Sequence, residues 1–250
     1  ANSNAARWLQ IDETDVTSTV FGGVQMYWAA EGATVAASKP KFKELKLDLE
    51  KMMGFAYATD ELLQDAAFMS GFFGRAFSTA ADRLLESAII SDGDGSGKPL
   101  SILSSGATVE VSKTAGQADG SFTAQNALAM WQRVLPKYRS NAVWLIHPDL
   151  EDQLPGMYLP IGSESKAVWM PEGGISGAQH QTILGRPVIY SDLCAEMGKK
   201  GDVMLADLSQ YLLLKKGTAR QDWSMHVEFL TDQMCFRMVF RCNGAPKLSA

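Results

Sequence analysis

Between Thr59 and Ile90 the apolar residues recur at helical spacing for about thirty positions, which at 1.5 Å per residue predicts a helix about 45 Å long. Thr59 suits the N-cap, and Asp60 and Glu61 sit where the helix dipole favours negative charge. The stripe runs Leu62, Ala66, Met69, Phe73, Phe77, Ala80, Leu84 and Ala88. A helix nearly three times the usual length outruns a compact small domain and predicts a spine with other elements strung along it. Gly71 and Gly74 mark close packing or a bend. Ser91-Asp92-Gly93-Asp94-Gly95-Ser96-Gly97 ends the helix in a tight turn.

Ahead of the spine the pattern changes to period two. Residues 1–22 are polar apart from Trp8, Leu9 and Ile11, and read as an extended arm that needs a partner surface to be ordered. Val24, Met26 and Trp28 alternate with Gln25 and Tyr27; Leu45, Leu47 and Leu49 alternate with Lys46, Asp48 and Glu50. Glu31 to Lys41 forms a loose tip between these two strands. The three pieces predict a two-stranded flap. A lone hairpin is marginal in water, so its stability is expected to come from a neighbouring subunit.

Behind the spine, Ala124 to Arg139 carries Leu128, Trp131, Val134 and Leu135 at helical spacing; Pro136 lies inside it, so either the last turn is kinked or the helix stops near Leu135. Ala142 to Ile146 reads as a buried strand, and Pro148-Asp149 as the start of a short helix through Leu154. Pro155 to Thr182 is a long Gly-rich surface loop. Strands are predicted at Arg186–Tyr190, Val203–Leu205, Tyr211–Lys215, Met225–Leu230 and Met234–Cys242. The fold class is α+β, in 250 residues without internal repeats.

Charged residues are 20% of the chain, below the usual quarter, and the net charge is -5. No basic cluster of the kind that grips phosphates stands out in the sequence. Cys194, Cys235 and Cys242 lack disulfide spacing and read as buried thiols. No apolar run reaches the ~18 residues of a membrane span. Gly93 to Lys98 resembles a phosphate loop but misses its spacing, lacks Ser or Thr after Lys98, and follows a helix instead of a strand. The twelfth position counted from Asp92 is Leu103, where a calcium loop needs Glu. His147, His180 and His226 are scattered, with no partner at metal-ligand spacing. There is no nucleophile elbow and no defensible carboxylate pair, so no enzyme, cofactor or metal site is expected. The lysines at 39, 41, 43 and 46 read either as a solvated strand and tip or as cations that meet acids on an adjacent subunit.

Four segments, in this order, carry a family likeness. Tyr27-Trp28-Ala29-Ala30-Glu31-Gly32 with Ser38-Lys39-Pro40-Lys41-Phe42 resembles the extended-loop motif of tailed-phage major capsid proteins of the Hong Kong phage type. Thr59 to Asp65 resembles that family's spine-helix start. Asp92 to Leu103 resembles its helix-to-turn signature, and Gly185-Arg186-Pro187-Val188-Ile189 a later strand that re-enters the sheet. The likeness covers about residues 20 to 245.

The resemblance implies an N-terminal arm at 1–23, an extended loop at 24–58, and a peripheral domain with the spine helix at 59–123. An axial domain follows at 124–225, and the strands of 226–250 return to the peripheral domain. It implies a shell of pentamers and hexamers around double-stranded DNA bound without sequence specificity. Further partners would be portal, scaffold or protease, and decoration proteins. The virion is the implied location, with synthesis in the bacterial cytoplasm and no membrane. Trp28, Glu31, Lys39, Lys41, Phe42, Lys43 and Lys46 are the candidate inter-subunit contacts. Some members of the family join subunits by a Lys–Asn isopeptide bond helped by a carboxylate. Lys39 lies about where that Lys would be, but Glu228 and Cys235 lie near the other two positions, so this shell is expected not to crosslink itself. The arm is also shorter than the family's, which implies cleavage of a scaffold segment or residues left out. The nearest alternative is an encapsulin-like nanocompartment shell, which shares the fold and encloses cargo enzymes. The rival from another class is a soluble enzyme with residues 155–182 as a lid.

Overall fold

The computed structural model of the chain describes residues 4–11, 24–32, 34–39, 42–65, 69–154, 156–161, 164–167 and 182–248. In chain order its elements are strands β1 (Ala5–Ile11), β2 (Phe42–Asp48) and β3 (Glu50–Thr59), then helices α1 (Asp60–Asp65), α2 (Met69–Ser87) and α3 (Ala124–Arg133). Strands follow as β4 (Val143–Ile146), β5 (Tyr158–Ile161), β6 (Glu164–Ala167), β7 (Thr182–Ile183), β8 (Arg186–Tyr190) and β9 (Val203–Ala206). The last three are β10 (Tyr211–Lys215), β11 (Arg220–Glu228) and β12 (Gln233–Pro246). Two compact units result. The first holds residues 1–101, 105–107 and 212–250; the second holds 102–104 and 108–211.

The first unit is organised by β12. β3 runs antiparallel along one edge, from Gln233 opposite Thr59 to Cys242 opposite Glu50. β11 runs antiparallel along the other edge, with a bulge between Ser224 and Glu228, and β10 also pairs with β12. Alternation along β3 is strict: residues 52, 54, 56 and 58 turn inward while 51, 53, 55, 57 and 59 are exposed. Over the inward face lies α2. Phe73 stacks on Phe236 with ring centroids 4.5 Å apart, and Phe77 comes within 3.4 Å of where a side chain on Gly54 would begin. Gly54 is therefore what lets the helix approach the strand.

The spine departs from the expected single stripe. Helix is present at α1 and α2, with residues 66–68 outside the described residues, and Ala88–Asp92 widens into a π turn. The covered positions are 73, 77, 81, 85 and 88, so Leu85 is buried and Leu84 exposed, the reverse of the expectation at that turn. Positions 73 and 77 keep the expected phase, the covered stripe shifts by one residue at 81 and 85, and it rejoins the expectation at 88. Beyond the π turn, Asp94 accepts a hydrogen bond from the Ser96 N–H at 3.0 Å, and Gly95 and Gly97 take left-handed torsions. That N–H holds the Asp94 carboxyl below its ordinary range. The Gly-Asp-Gly segment is a built turn, held by an Asp94–Leu100 bridge and by Leu100 N–H donating to Gly244 O at 2.8 Å.

The second unit has a four-stranded sheet in the order β7-β8-β4-β9, with β4 parallel to β8 and antiparallel to β9. Trp144, Ile146, Leu150 and Leu154 are essentially fully buried at its centre, and Trp144 Nε1 donates to Ile183 O at 3.0 Å. α3 starts at a capping box in which the Thr123 N–H donates to Asn126 Oδ1 at 3.0 Å. It ends at Arg133, and a 3₁₀ turn from Pro136 to Asn141 follows, so of the kink and the stop the helix takes the stop. The predicted helix from Pro148 shortens to a 3₁₀ turn, Pro148–Leu150, capped by the His147 ring accepting from Asp149 N–H. The predicted loop at 155–182 contains an antiparallel ribbon, β5 with β6. Residues 155, 162–163 and 168–181, His180 with them, lie outside the described residues. β11 begins at Arg220, earlier than predicted, and β11 and β12 belong to the first unit.

Candidate subunit interface

The flap is built differently from its sequence reading. Gln25 to Ala30 has no regular strand, and the partner of β2 is β1, in the N-terminal arm. Registry runs from Ala5 opposite Asp48 to Ile11 opposite Phe42, and Leu49 N–H extends it by donating to Asn4 O at 2.7 Å. The arm's apolar residues thus have a partner strand in their own chain. Period-two alternation marks Leu45, Leu47 and Leu49 as strand residues but is silent on which strand they pair with.

Burial along this ribbon has a direction. Leu47 is 5% exposed and Leu49 9%, while Phe42 at the far end is 61% exposed, opposite Ile11. Trp8 and Leu9 of β1 are also exposed. The ribbon is rooted at 47–49 and open at its tip. Glu50–Thr59, reckoned above with the extended loop, pairs with β12 in the body sheet, so the projecting part ends near Asp48.

Beyond the tip, residues 24–32 and 34–39 are open, and their two limbs meet where Gln25 N–H donates to Ser38 Oγ at 3.1 Å. Glu31 and Gly32 turn the chain, with Gly32 at φ +78°. Met26 is 94% exposed and Trp28 fully exposed, and Val24, Tyr27 and Val35 are also open. Exposed apolar residues scattered singly are ordinary; here five stand uncovered within twelve positions. Of the candidate contacts, Trp28, Glu31, Lys39, Phe42, Lys43 and Lys46 are exposed. Lys46 pairs with Asp48 at 3.0 Å within the chain, and Lys41 lies outside the described residues.

A second apolar surface had no sequence forecast. On the sheet face opposite α2, Met53, Phe55 and Tyr57 stand about half exposed, with Arg237 beside them held by Asp222 at 2.7 Å. The guanidinium groups of Arg237 and Arg220 keep the Asp222 carboxyl below its ordinary range. The signal was available: from Met53 to Ala58 a large residue alternates with Gly or Ala, as in a strand whose small-residue face admits a close helix.

Nucleophilic chemistry finds no support at the cysteines. All three are buried, and burial pushes the Cys194 thiol up to about 11, where it stays protonated. Among the described residues no group of three His, Cys, Asp or Glu is placed to hold a metal ion, and no helix is long and apolar enough to cross a membrane.

Known structures share this architecture. The capsid of a native GTA particle, computed with C5 symmetry, superposes with a TM-score of 0.75 at 16% identity over 98% of this chain and 82% of that one. A chain of Microbacterium phage Oxtober96 gives 0.67 at 14% identity over 100% and 82%. The mature capsid of bacteriophage PhiM1 gives 0.53 at 10% identity over 98% and 79%. No curated protein sequence matches. At these identities the likeness establishes the fold, a mixed helix-and-sheet capsid fold. The sequence model described as "Phage capsid family" matches residues 4–250. With that match spanning nearly every residue, the chain belongs to the phage capsid family and is a structural, non-enzymatic protein of the capsid.

Proposed function

We propose that the chain self-assembles as pentamers and hexamers into an icosahedral shell that encloses double-stranded DNA. The observation that carries this reading is the rooted ribbon with its uncovered apolar tip. Burying Met26, Trp28 and Phe42 against a neighbour contributes about 1.5–3 kcal/mol each. Obligate interfaces bury more than ~2,000 Å² in total, and the ribbon supplies area that a compact body lacks. Closed symmetry then multiplies modest contacts.

In this reading residues 24–48 are the extended loop, and Trp28, Glu31, Lys39, Lys41, Phe42 and Lys43 meet the adjacent subunit. α1 and α2 are the spine and the first unit is the peripheral domain. Its make-up from both ends of the chain supports the return of strands 226–250 to it. The second unit is the axial domain. The mature location is the virion, after synthesis in the host cytoplasm, with portal, scaffold or protease and decoration proteins as further partners. The encapsulin-like alternative draws no support from the phage and GTA capsids that match.

Electron microscopy and sedimentation of the purified chain test the proposal. Closed particles of megadalton mass are expected. Deleting residues 32–41 is expected to leave capsomers or monomers, and normal shells from that deletion would refute the role of the ribbon.

A further inference from the structure

Charge in the second unit is segregated along the chain. No carboxylate stands between Asp119 and Asp149, a stretch that carries Arg133, Lys137 and Arg139. No Lys or Arg stands between Arg139 and Lys166, a stretch that opens with Asp149, Glu151 and Asp152. β4 lies between the two blocks, so they leave the sheet at opposite ends.

The sheet sorts the remaining charges the same way. β8 runs parallel to β4, which puts its first residue, Arg186, at the basic end, where it donates to Ser140 O. Arg139 lies over the Trp131 ring at 5.2 Å and donates to Val134 O at 3.0 Å. Asp207, after β9, is a carboxylate at this end, and it caps its own turn by accepting from Ser209 N–H. At the other end, Asp192 follows β8 and Asp202 precedes β9, joining Asp149, Glu151, Asp152 and Glu196. His147 lies among them, and the lysines there are engaged: Lys199 with Glu196 and Lys200 with Glu110. Arg133, Lys137, Asp149, Glu151 and Asp152 are all exposed.

We infer that these poles are the two halves of one contact: the basic pole of a subunit docks on the acidic pole of the next copy around a ring. This rests on the shell reading and names the surfaces that close its capsomers. The occupant follows from complementarity, because an acidic chain carries on one compact unit both a basic patch and the acidic patch that fits it. Two different patches on one body can meet head to tail, and that contact closes into a ring where its rotation allows, as the capsomers of the shell reading require. β4 separates them by about 13 Å of strand, more than the Debye length of about 8 Å at physiological salt, so each pole acts independently until a neighbour arrives.

The test perturbs each pole. Arg133→Glu with Lys137→Glu places two carboxylates in the basic pole; Glu151→Lys with Asp152→Lys places two cations in the acidic pole and cancels most of its charge. Each variant is expected to keep wild-type circular dichroism and thermal unfolding yet to lose particle yield by about tenfold or more, because like charges set together across an interface cost several kcal/mol. Mixing the two variants, or combining all four substitutions in one chain, is expected to restore particles. Undiminished yield from either single-pole variant overturns the assignment while leaving the shell reading intact, as does a four-substitution chain no better than its parents. Loss of duplex-DNA binding by the basic-pole variant with assembly unchanged also overturns it, and gives the patch to DNA instead. A wild-type chain that sediments as a monomer overturns the shell reading and this one together.

Discussion

Replacing Gly93 with alanine tests whether the turn after the spine is a packed joint or a tolerant loop. Gly93 sits at φ -74° and ψ 123°, torsions any residue accepts, so alanine meets no backbone penalty. Its methyl group would lie 2.1 Å from Pro99 O, 2.2 Å from Ala88 O and 2.7 Å from Ser101 N. All three are backbone atoms, of the π turn and of the segment that closes the glycine turn. To reach the 3.0 Å below which real contacts essentially never fall, both oxygens must retreat by nearly an ångström. That motion opens the hydrogen bond from Ser101 N–H to Gly93 O at 3.0 Å. Overpacking costs about 1–3 kcal/mol and a disrupted buried hydrogen bond about 1 more, so a loss of about 3 kcal/mol or more is expected. Gly97 is the control: it is at φ +73° with nothing within 4 Å, so alanine there costs only the left-handed penalty of about 1–2 kcal/mol. Urea unfolding of unassembled subunits, followed by far-UV circular dichroism, measures both. The reasoning fails if Gly93→Ala proves as stable as Gly97→Ala.

Trp144→Ala removes a fully buried indole and its bond to Ile183 O, and is expected to destabilise by about 3–5 kcal/mol in the same unfolding assay. Asp222 is held by Arg237 and Arg220, so its folded pKa lies below the ordinary 3.8. Its contribution is complete above that value and is lost as pH falls through the lowered one, so Asp222→Asn should flatten the acid limb of a stability-against-pH curve. Cys194, with its thiol near 11, is expected to resist a thiol reagent at mildly alkaline pH until the chain is unfolded, as mass spectrometry of labelled peptides can show. Denaturing gels of assembled particles are expected to show single chains, since Glu228 and Cys235 stand near the Asn and carboxylate positions that a Lys39 isopeptide bond requires; a covalent ladder would refute this.

What sequence patterning conveyed depended on whether a signal was local. The start of α3 at Ala124, the break at Pro136, the buried run at Val143 and the glycine turn after the spine are all written in adjacent residues, and each was legible. Pairing is not local. Leu45 and Leu47 announced a strand, but choosing between Val24–Trp28 and the arm as its partner needs contacts more than thirty residues apart in sequence. The π turn was hidden for a related reason: a helix widens where the chain beyond it must fit against Pro99 and Ser101, and the periodicity inside the helix carries no trace of that. The basic pole escaped because Arg186 reaches Ser140 only when β8 is laid parallel to β4.

On the proposed shell reading, the ribbon and the poles solve different parts of one physical problem. Apolar contact is strong and non-directional, so Trp28 and Phe42 can hold a neighbour without fixing its rotation. Charge contributes little once water is present, but it penalises wrong orientations by setting like signs together. A shell subunit that must join both five-fold and six-fold rings needs adhesion that tolerates a change of angle and a guide that rejects reversed approach. Exposed aromatics on a projecting ribbon suit the first need, and opposed poles at the ends of a rigid sheet suit the second. Salt should therefore separate them: raising ionic strength is expected to slow correct ring closure more than it weakens finished shells, as light scattering during assembly and after dilution can measure. If salt dissolved shells as readily as it slowed their formation, charge would be carrying the adhesion itself.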